Sequence, residues 1–467
     1  MRSLGTLPIA AIVRYVAIKM ATSSRAGELS VKSLETLILR ITAEPLSIAT
    51  GIIIARTLGP SAKGVQAYTS IVLGLLVAIS TGQSLAVAWQ YGRLKIASSI
   101  VYVAMLRLFV VAIIPLSLVV LAAGIVRHDI GLSAAALMFP LVYYAQTTLA
   151  FFVSDGNVRW ANLQSNIVPA IFLIFVAIAA FIFHAGIEAM MLLWVLAWAI
   201  VAAWAYRMNR KYRQPRDANV RASSPTISET SRAQLGFMAK ATLNQLVQIL
   251  NFQIDLLIVL YVLGTSWGGI YSLAVSTGQA MWHISRPLAV SAFGRVVSGS
   301  KEESAELTAA CLRHSLFLVT LACAVLFFAG PPLIVLIYGH KFGAAGPALQ
   351  WILPGIVAYC AMPFLSQFFT VQVGRPMLAT IAGAISTVVC VVTMLLLLSR
   401  FGIVAGAMGT SASYVASFIF MLVLFQRETK LSPFKMLVFT RSDFRHYLTL
   451  GRALIEGAMA FFRVKFA

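Results

Sequence analysis

Charge is scarce in this sequence. Charged residues make up only 11% of the 467 residues, 60% are hydrophobic, and the mean hydropathy is +0.88. Soluble domains carry about 25% charged residues, so this composition excludes an ordinary soluble enzyme or binding domain. The long apolar runs between the few charges predict a polytopic membrane protein.

Cysteine is equally sparse, and no metal-binding pattern accompanies it. The four cysteines lie inside or against apolar segments, at Cys311, Cys323, Cys360 and Cys390. No CxxC spacing and no neighbouring histidine cluster occurs in the sequence. A disulfide framework and a zinc site are therefore both unsupported, and we expect no bound cofactor or metal.

Positive charge is the one kind of charge in excess, with a formal net charge of +21. The basic residues gather in short gaps between apolar runs and not on one polar domain, which argues against a nucleic-acid partner. One set of loops holds most of them, and the opposite set holds only Arg56 with Lys63, Arg127, Lys341 and Arg400. Positive charge favours the cytoplasmic side, so both termini are predicted to be cytoplasmic.

The apolar runs divide into twelve predicted spans. A hydrocarbon core of about 30 Å needs about 20 apolar residues per helix. By that measure the spans are approximately 34–55, 66–89, 104–125, 132–153, 163–183, 187–206, 236–263, 270–292, 307–337, 348–371, 377–398 and 403–425. The ninth is expected to break at Gly330, Pro331 and Pro332. An even number agrees with termini on one side.

The spans fall into two halves separated by a polar segment. The predicted domains are a basic arm at 1–32, a six-helix half at 33–206, a cytoplasmic linker at 207–233, a second half at 234–426 and a tail at 427–467. Arg14 and Lys19 interrupt the only early apolar stretch, so we expect no cleavable signal peptide. The tail mixes basic and apolar residues and is predicted to form an amphipathic helix at the membrane surface.

A weak internal repeat supports the two halves. A shift of 205 residues places Leu58, Gly59, Ser61 and Gly64 over Leu263, Gly264, Ser266 and Gly269. The prediction is an all-α protein of about 12 transmembrane helices, in two six-helix halves related by a pseudo-two-fold axis along the membrane normal. The glycines suit tight turns that need a positive φ, and a role in gating is the alternative interpretation.

A ladder of polar side chains crosses the seventh span. Asn244, Gln248, Asn251 and Asp255 fall within about 60° of one another on a helix. A carboxylate in mid-bilayer costs about 2.5 to 3.5 kcal/mol, so it is expected to face a cavity or a partner. Asp255, with Asn251 beside it, is a candidate for coupling to a proton or a sodium ion. Pairing with a cation and a structural role at the helix end are the alternatives.

The first span carries a second polar face. Arg40 and Glu44 are spaced to pair as i and i+4, which lowers the cost of placing both in the bilayer. This pair either lines a cavity or forms a structural ion pair. Glu44 is the second candidate for ion coupling, and Pro45 beside it is expected to kink the span.

Several short motifs resemble one transporter family. They are 55–60 with Gly64, then Asp255 with Leu263, Gly264, Gly269 and Tyr271, then 338–342, 374–376 and 402–409. With them the chain resembles the polysaccharide-transporter branch of the multidrug, oligosaccharidyl-lipid and polysaccharide flippase superfamily. The resemblance implies a flippase in the bacterial cytoplasmic (inner) membrane that moves a polyprenyl-diphosphate-linked glycan outward by alternating access. It also implies glycosyltransferase and glycan polymerase machinery as partners.

Cations in the cytoplasmic halves of the spans form the predicted substrate site. These residues are Arg40, Arg107, Lys240, Arg286 and Arg313. If they converge, they make a vestibule that clamps a diphosphate through guanidinium forks. Alternatively, each side chain extends to the lipid headgroups at the interface. Arg56, at the outer end, is a further headgroup candidate or an interfacial anchor, and Pro287 is expected to bend the eighth span.

Two other functions compete with the flippase. A cation-coupled multidrug exporter of the same superfamily needs an apolar, acidic pocket, and the excess of intramembrane Arg and Lys argues against it. A membrane glycan polymerase or ligase needs acid and base groups on a sizeable outer loop. The outer loops are short and carry no such constellation, so we expect no enzymatic activity.

Overall fold

The computed structural model describes residues 25–213 and 225–438, with side chains from residue 44 onward except at a few positions in 158–165 and 290–295. Across these residues the secondary structure is helical, as predicted. Most of the predicted basic arm, the middle of the predicted linker and the tail beyond Val438 lie outside the described residues. The chain divides into two compact units, with the boundary between Leu246 and Val247.

Unit 1 is built from the following helices: α1 (Arg25–Val87), α2 (Ser98–Leu108), α3 (Ile114–Val126), α4 (Ile130–Ser154), α5 (Val158–Phe181), α6 (Ile187–Met208) and the short α7 (Arg210–Arg213). The π-helical turn Phe109–Ile113 joins α2 to α3. A second π-helical turn, Ala88–Arg93, extends α1. The first part of α8 (Ile227–Val262) completes this unit.

Unit 2 contains the rest of α8 and the helices that follow it: α9 (Thr265–Gln279), α10 (Trp282–Ser298), α11 (Lys301–Tyr338), α12 (Ala345–Gln367), α13 (Met377–Phe401), α14 (Ile403–Thr429) and the short α15 (Pro433–Leu437). The π-helical turn Phe368–Gln372 extends α12. The domain boundaries predicted around the linker remain predictions.

The helices provide the predicted membrane spans. Within the described residues, nine helical stretches are long and apolar enough to cross a membrane. One of them, Glu44–Arg93, is 50 residues long and contains the bend at Gly59 that separates the first two predicted spans. With α5 and with the pair formed by α9 and α10, the described segments match the twelve predicted spans. An all-helical, polytopic membrane protein is therefore confirmed.

One helix lies at the centre of each unit. Protein buries 67% of the most apolar 18 residues of α4 and of the stretch Ala345–Gln372, but only 17% of those of Ser98–Val126. In unit 1, α4 packs against α1, α3 and α6. In unit 2, α12 packs against α9, α11 and α14. The central helices are thus shielded by protein, while the outer helices present apolar side chains to lipid.

The glycine turns of the repeat have the predicted backbone geometry. Gly59 has φ 84° and ψ −170°, and Gly264 has φ 86° and ψ 172°. This region is essentially restricted to glycine. Gly339, after α11, has φ 99° and ψ 165° and ends that helix in the same conformation. Positive φ is therefore confirmed at Gly59 and Gly264, whereas Gly64 and Gly269 lie in helices without positive φ.

The break predicted at Gly330, Pro331 and Pro332 does not occur, and the kink predicted at Pro45 remains a prediction. α1 continues through Pro45, and α11 continues through Pro331 and Pro332 without the predicted break. In α11, tight packing accompanies the prolines, because a Cβ on Gly346 of α12 would lie 2.9 Å from Pro331. Neighbouring helices can support a proline-containing segment in this way.

The eighth predicted span is interrupted, but not at Pro287. α9 ends at Gln279 and α10 begins at Trp282, while Pro287 lies within α10. Across this interruption, backbone N–H groups donate to the carbonyl three residues earlier, as in the bond from His283 N to Ala280 O at 3.2 Å. The break therefore places the N-terminus of α10, with Trp282, in the interior of a predicted span.

The substitution Gly264→Ala should destabilise unit 2. A Cβ at this position meets no atom within 4 Å, so the cost of about 1–3 kcal/mol comes from the backbone conformation alone. Gly383→Ala is the matched control, since Gly383 is helical with equally open surroundings and alanine favours helix by up to about 1 kcal/mol. Melting temperatures in detergent should fall for the first variant and hold or rise for the second. Equal melting temperatures would contradict a strained turn.

Candidate functional site

The carboxylate of Asp255 is buried in unit 2 among hydroxyl groups. Its side chain is 3% exposed. The hydroxyl of Tyr271 donates to Oδ2 at 2.7 Å, and that of Thr410 lies 2.6 Å from the same oxygen. The backbone N–H of Leu256 donates to Oδ1 at 2.7 Å. Within unit 2, none of these described contacts is to a cationic side chain.

Three helices bring these groups together. Asp255 lies near the end of α8, and the turn at Gly264 folds α9 back so that Tyr271 reaches the carboxylate. Thr410 comes from α14, where Gly406 lies one turn earlier on the same face. A Cβ on Gly406 would lie 3.0 Å from the Tyr271 ring, so glycine is needed for this close approach.

Thr410 can serve two different acceptors. Its Oγ1 lies 2.6 Å from Asp255 Oδ2 and 3.1 Å from the backbone carbonyl of Gly406. A hydroxyl has one hydrogen to donate and can rotate between acceptors. If Asp255 is ionised, Thr410 donates to it. If Asp255 is protonated, the carboxylic acid can donate to Thr410 while Thr410 turns to the carbonyl, so both states keep their hydrogen bonds.

Sequence reasoning identified Asp255 but missed its partners. Tyr271 is 16 residues away and Thr410 is 155 residues away, so helical periodicity could not connect them. The sequence held one weak signal for this contact, namely Gly406 and Thr410 spaced i and i+4 in an apolar span.

The polar ladder runs from exposed to buried positions. Asn244 and Gln248 are exposed, Asn251 is half-buried and Asp255 is buried. Asn251 Oδ1 lies 3.5 Å from the hydroxyl of Thr387 on α13, at the limit of a hydrogen bond. The ladder thus leads inward to the carboxylate, with Asn251 in between.

The other predicted site residues, Glu44 and the cations, occupy different environments. Glu44, Arg56, Arg107, Lys240 and Arg286 are exposed, and the side chain of Arg40 lies outside the described residues. Glu44 and Arg56 each make an interaction in the structure. Arg313 is half-buried and donates to the backbone carbonyl of Lys435, so it helps to hold α15. Convergence of the cations into one vestibule remains a prediction.

Arg286 lies over an aromatic side chain of its own helix. Its guanidinium carbon is 5.2 Å from the centroid of the Trp282 ring, which is one turn earlier in α10. The Trp282 ring contacts Phe252 and Tyr359, with centroid distances of 5.3 and 4.8 Å. Cation–π contact of this kind orients a guanidinium group without using its hydrogen-bond donors.

Unit 1 contains a buried glutamine network that the sequence did not predict. Gln83 Nε2 donates to Gln234 Oε1 at 2.7 Å, and Gln234 Nε2 donates to Gln90 Oε1 at 2.9 Å. All three side chains are at most 1% exposed. A Cβ on Gly82 would lie 2.7 Å from the carbonyl oxygen of Met238, which shows how closely α1 and α8 approach. These contacts fix the first part of α8 on α1.

The Lys63 side chain is half-buried and lies against Gly51 and Gln66 of its own helix, α1. Its amine donates to Gln66 Oε1 at 2.9 Å and lies 2.9 Å from the place where Gly51 would carry a Cβ. The absence of a side chain at Gly51 therefore makes room for the ammonium group. Lys63 and Arg56 occur together in the sequence, but only Arg56 is exposed.

Asp155, between α4 and α5, is the centre of a polar cluster outside the spans. It accepts hydrogen bonds from Tyr91 at 2.8 Å and Lys211 at 3.0 Å, and from Tyr212. Partial burial by itself would raise the pKa of Asp155, but these three donors outweigh burial and lower the pKa below its ordinary value. A cavity of about 190 Å³ adjoins the cluster and is lined by residues that include Lys95 and Ser98.

The fold and the buried carboxylate site define the class: a multi-pass membrane protein with two helical units and a polar interior. Neither a protein-family sequence model nor a curated protein matches the chain. Solved structures do match. The chain is similar to the lipid II flippase MurJ in its inward closed conformation, with a TM-score of 0.68 and 13% identity, covering 86% of this chain and 88% of that one.

Two further solved structures have the same fold. One is the inward-facing conformation of a multidrug resistance MATE family transporter of the MOP superfamily, with a TM-score of 0.66, 13% identity, and coverage of 84% of this chain and 98% of that one. The other is a MOP superfamily transporter from Pyrococcus furiosus, with a TM-score of 0.61, 13% identity, and coverage of 89% and 98%. These similarities show that the chain has the fold of these transporters, and both the superfamily and its polysaccharide-transporter branch remain predictions.

The Asp155 cluster should make stability depend on pH. Because the folded-state pKa is lowered, the unfolded state binds the proton more readily. The stabilisation is then complete above about pH 4 and is lost as the pH falls through the folded-state pKa. Melting temperatures of the wild type should fall over this acidic range more steeply than those of Asp155→Asn. Parallel pH profiles for the two proteins would contradict this assignment.

Proposed function

We propose that the protein is a flippase that moves a polyprenyl-diphosphate-linked oligosaccharide across the bacterial cytoplasmic membrane by alternating access, for surface polysaccharide assembly. The observation that carries the proposal is Arg286, an exposed guanidinium held over Trp282 with its hydrogen-bond donors available. Guanidinium groups bind phosphate oxygens in a bidentate manner. The lipid II flippase among the similar structures is named for a lipid-linked substrate, which supports the same substrate class.

A multidrug exporter is the second candidate, because MATE family transporters have the same fold. Such an exporter needs an acidic surface to attract organic cations. In unit 2 the buried acid, Asp255, is already surrounded by hydroxyl donors, whereas the exposed Arg286 repels a cationic drug. These charges favour the anionic lipid substrate.

Ion coupling is assigned to Asp255. The carboxylate is buried without a described cationic partner in its unit, so ionisation without a compensating charge is costly. Binding a proton or a sodium ion removes that cost. The second acceptor of Thr410, the Gly406 carbonyl, lets the site release and take up a proton without losing a hydrogen bond.

We further propose that both termini are cytoplasmic and that membrane lipids surround the two units. The basic residues Arg210, Lys211 and Arg213 and the segment 427–438 then lie on the cytoplasmic side, where positive charge is favoured. Glycosyltransferase and glycan polymerase machinery are the proposed partners, since they make the lipid-linked glycan and use it after translocation.

Reconstituted protein should translocate a fluorescent polyprenyl-diphosphate glycan faster than protein-free liposomes. Arg286→Ala should lower the initial rate about tenfold, because loss of a charge-assisted hydrogen bond costs about 1.5–3 kcal/mol. Arg40→Ala should also lower the rate. Arg400→Ala is the matched control, since Arg400 is exposed in the same unit at the end of α13.

Three results would count against this proposal. Correctly folded wild-type protein without activity above empty liposomes would remove the flippase function. Full activity in both Arg286→Ala and Arg40→Ala would remove the cationic substrate site. Transport of an organic cation such as ethidium that is unaffected by added lipid-linked glycan would favour the multidrug exporter.

Asp255→Asn should uncouple transport from its ion gradient. The amide keeps the size of the carboxylate and can still hydrogen-bond to Thr410, but it cannot exchange a proton. Translocation should respond to an imposed proton or sodium gradient in the wild type and in Glu302→Gln, an exposed acid of α11. The same response in Asp255→Asn would exclude Asp255 as the coupling group.

A further inference from the structure

An aromatic wall lies next to Arg286 in unit 2. It consists of Phe252, Trp282, Tyr359 and Tyr414. Tyr359 contacts Trp282 and Tyr414, each with a centroid distance of 4.8 Å, and meets Phe252 edge-on at 5.4 Å. Tyr414 is almost fully buried and Tyr359 is half-buried, so the wall extends from the protein interior toward the exposed Arg286.

Trp282 and Tyr359 of this wall, and Arg286 beside it, carry hydrogen-bond donors without a described acceptor. The indole N–H of Trp282 is buried and has no hydrogen-bond partner. Among the described residues, the Tyr359 hydroxyl and the Arg286 guanidinium likewise have no hydrogen-bond or ion-pair partner. An unpaired buried donor costs about 1–3 kcal/mol unless water or a ligand meets it. The Trp282 N–H is thus a buried donor that calls for an acceptor, and the exposed Arg286 and the half-buried Tyr359 offer further donors beside it.

The interrupted span explains why these groups coincide. Because α9 stops at Gln279 and α10 starts at Trp282, Trp282 is the first residue of a helix that begins inside the predicted span. Arg286 follows one turn later and therefore lies on the same face of α10. Tyr359 reaches the Trp282 ring from α12, the central helix of the unit.

The chemistry of the wall selects its ligand. A ligand must supply oxygen acceptors for several donors and a flat apolar surface for the rings. A sugar ring has both, because its hydroxyl and ring oxygens accept hydrogen bonds while one face of C–H groups packs on an aromatic face. An organic cation supplies few acceptors and is repelled by Arg286.

We propose that Trp282 and Tyr359 contact the first sugar of a diphosphate-linked glycan while Arg286 binds its phosphate. This inference rests on the proposed flippase function and extends it by assigning the residues that recognise the sugar. Arg286 supplies affinity for every prenyl diphosphate. Trp282 and Tyr359 supply the additional affinity that depends on the presence of a sugar.

The test compares binding of farnesyl diphosphate with that of its glucosyl, galactosyl and N-acetylglucosaminyl derivatives. Dissociation constants are measured by calorimetry on the full-length protein in detergent. For the wild type, at least one sugar should tighten binding about tenfold, which corresponds to about 1.4 kcal/mol. Arg286→Ala should weaken binding of all four ligands by a similar factor.

The Trp282 variants separate sugar recognition from folding. In Trp282→Leu the sugar should give no gain, and binding of farnesyl diphosphate should weaken less than that of the sugar derivatives, because Trp282 acts on the phosphate only by orienting Arg286. Trp282→Phe keeps a ring and should retain part of the gain, and Tyr359→Phe should lose part of it. Trp267→Leu is the control, since Trp267 is 46% exposed in the same unit. If Trp282→Leu does not fold, the two phenylalanine variants decide.

The outcomes distinguish this inference from the function on which it rests. Wild type that binds none of the four ligands contradicts both. Wild type that binds farnesyl diphosphate without any gain from a sugar contradicts only the sugar site. Equal weakening of all ligands by Trp282→Leu or Trp282→Phe also contradicts it, because the ring would then support only Arg286 or the fold.

Discussion

A carboxylate that is buried without a described cation in its unit constrains much of unit 2. Asp255 can remain in the interior only if hydroxyl and amide donors surround it, since an unsatisfied charge in this environment is costly. Tyr271 and Thr410 meet that need, and their helices must approach closely to do so. The turn at Gly264 and the absence of a side chain at Gly406 make the approach possible. The polar site and the packing of α8, α9 and α14 are therefore one arrangement.

The two units satisfy buried polar groups by different chemistry. In unit 1 the glutamines at 83, 90 and 234 bond to one another and hold the first part of α8 on α1. These amides do not titrate, so this network responds little to pH or to ions. In unit 2 the corresponding interior group is a titratable carboxylate. The coupling that we propose therefore belongs to unit 2, while the glutamine network of unit 1 holds helices together.

Some features were predictable because they depend on neighbours in the sequence. Twelve spans follow from the apolar runs, and positive φ at Gly59 and Gly264 follows from the repeated glycine motif. Asp255 was recognisable because a lone acid in an apolar helix is rare. Proline was a poor guide to where helices end: α11 continues through Pro331 and Pro332, and the eighth span is interrupted between Gln279 and Trp282, not at Pro287.

The sequence by itself determined the class of protein, the number of spans, the glycine turns and the presence of an acid in the seventh span. Each of these depends on composition or on residues less than one helix apart. Only the tertiary structure decided that Tyr271 and Thr410 hold Asp255, that Gln83 and Gln234 meet, and that Tyr359 contacts Trp282. Each of these contacts joins two different helices. Helical periodicity fixes the face of a residue on its own helix, but not the helix that will cover that face.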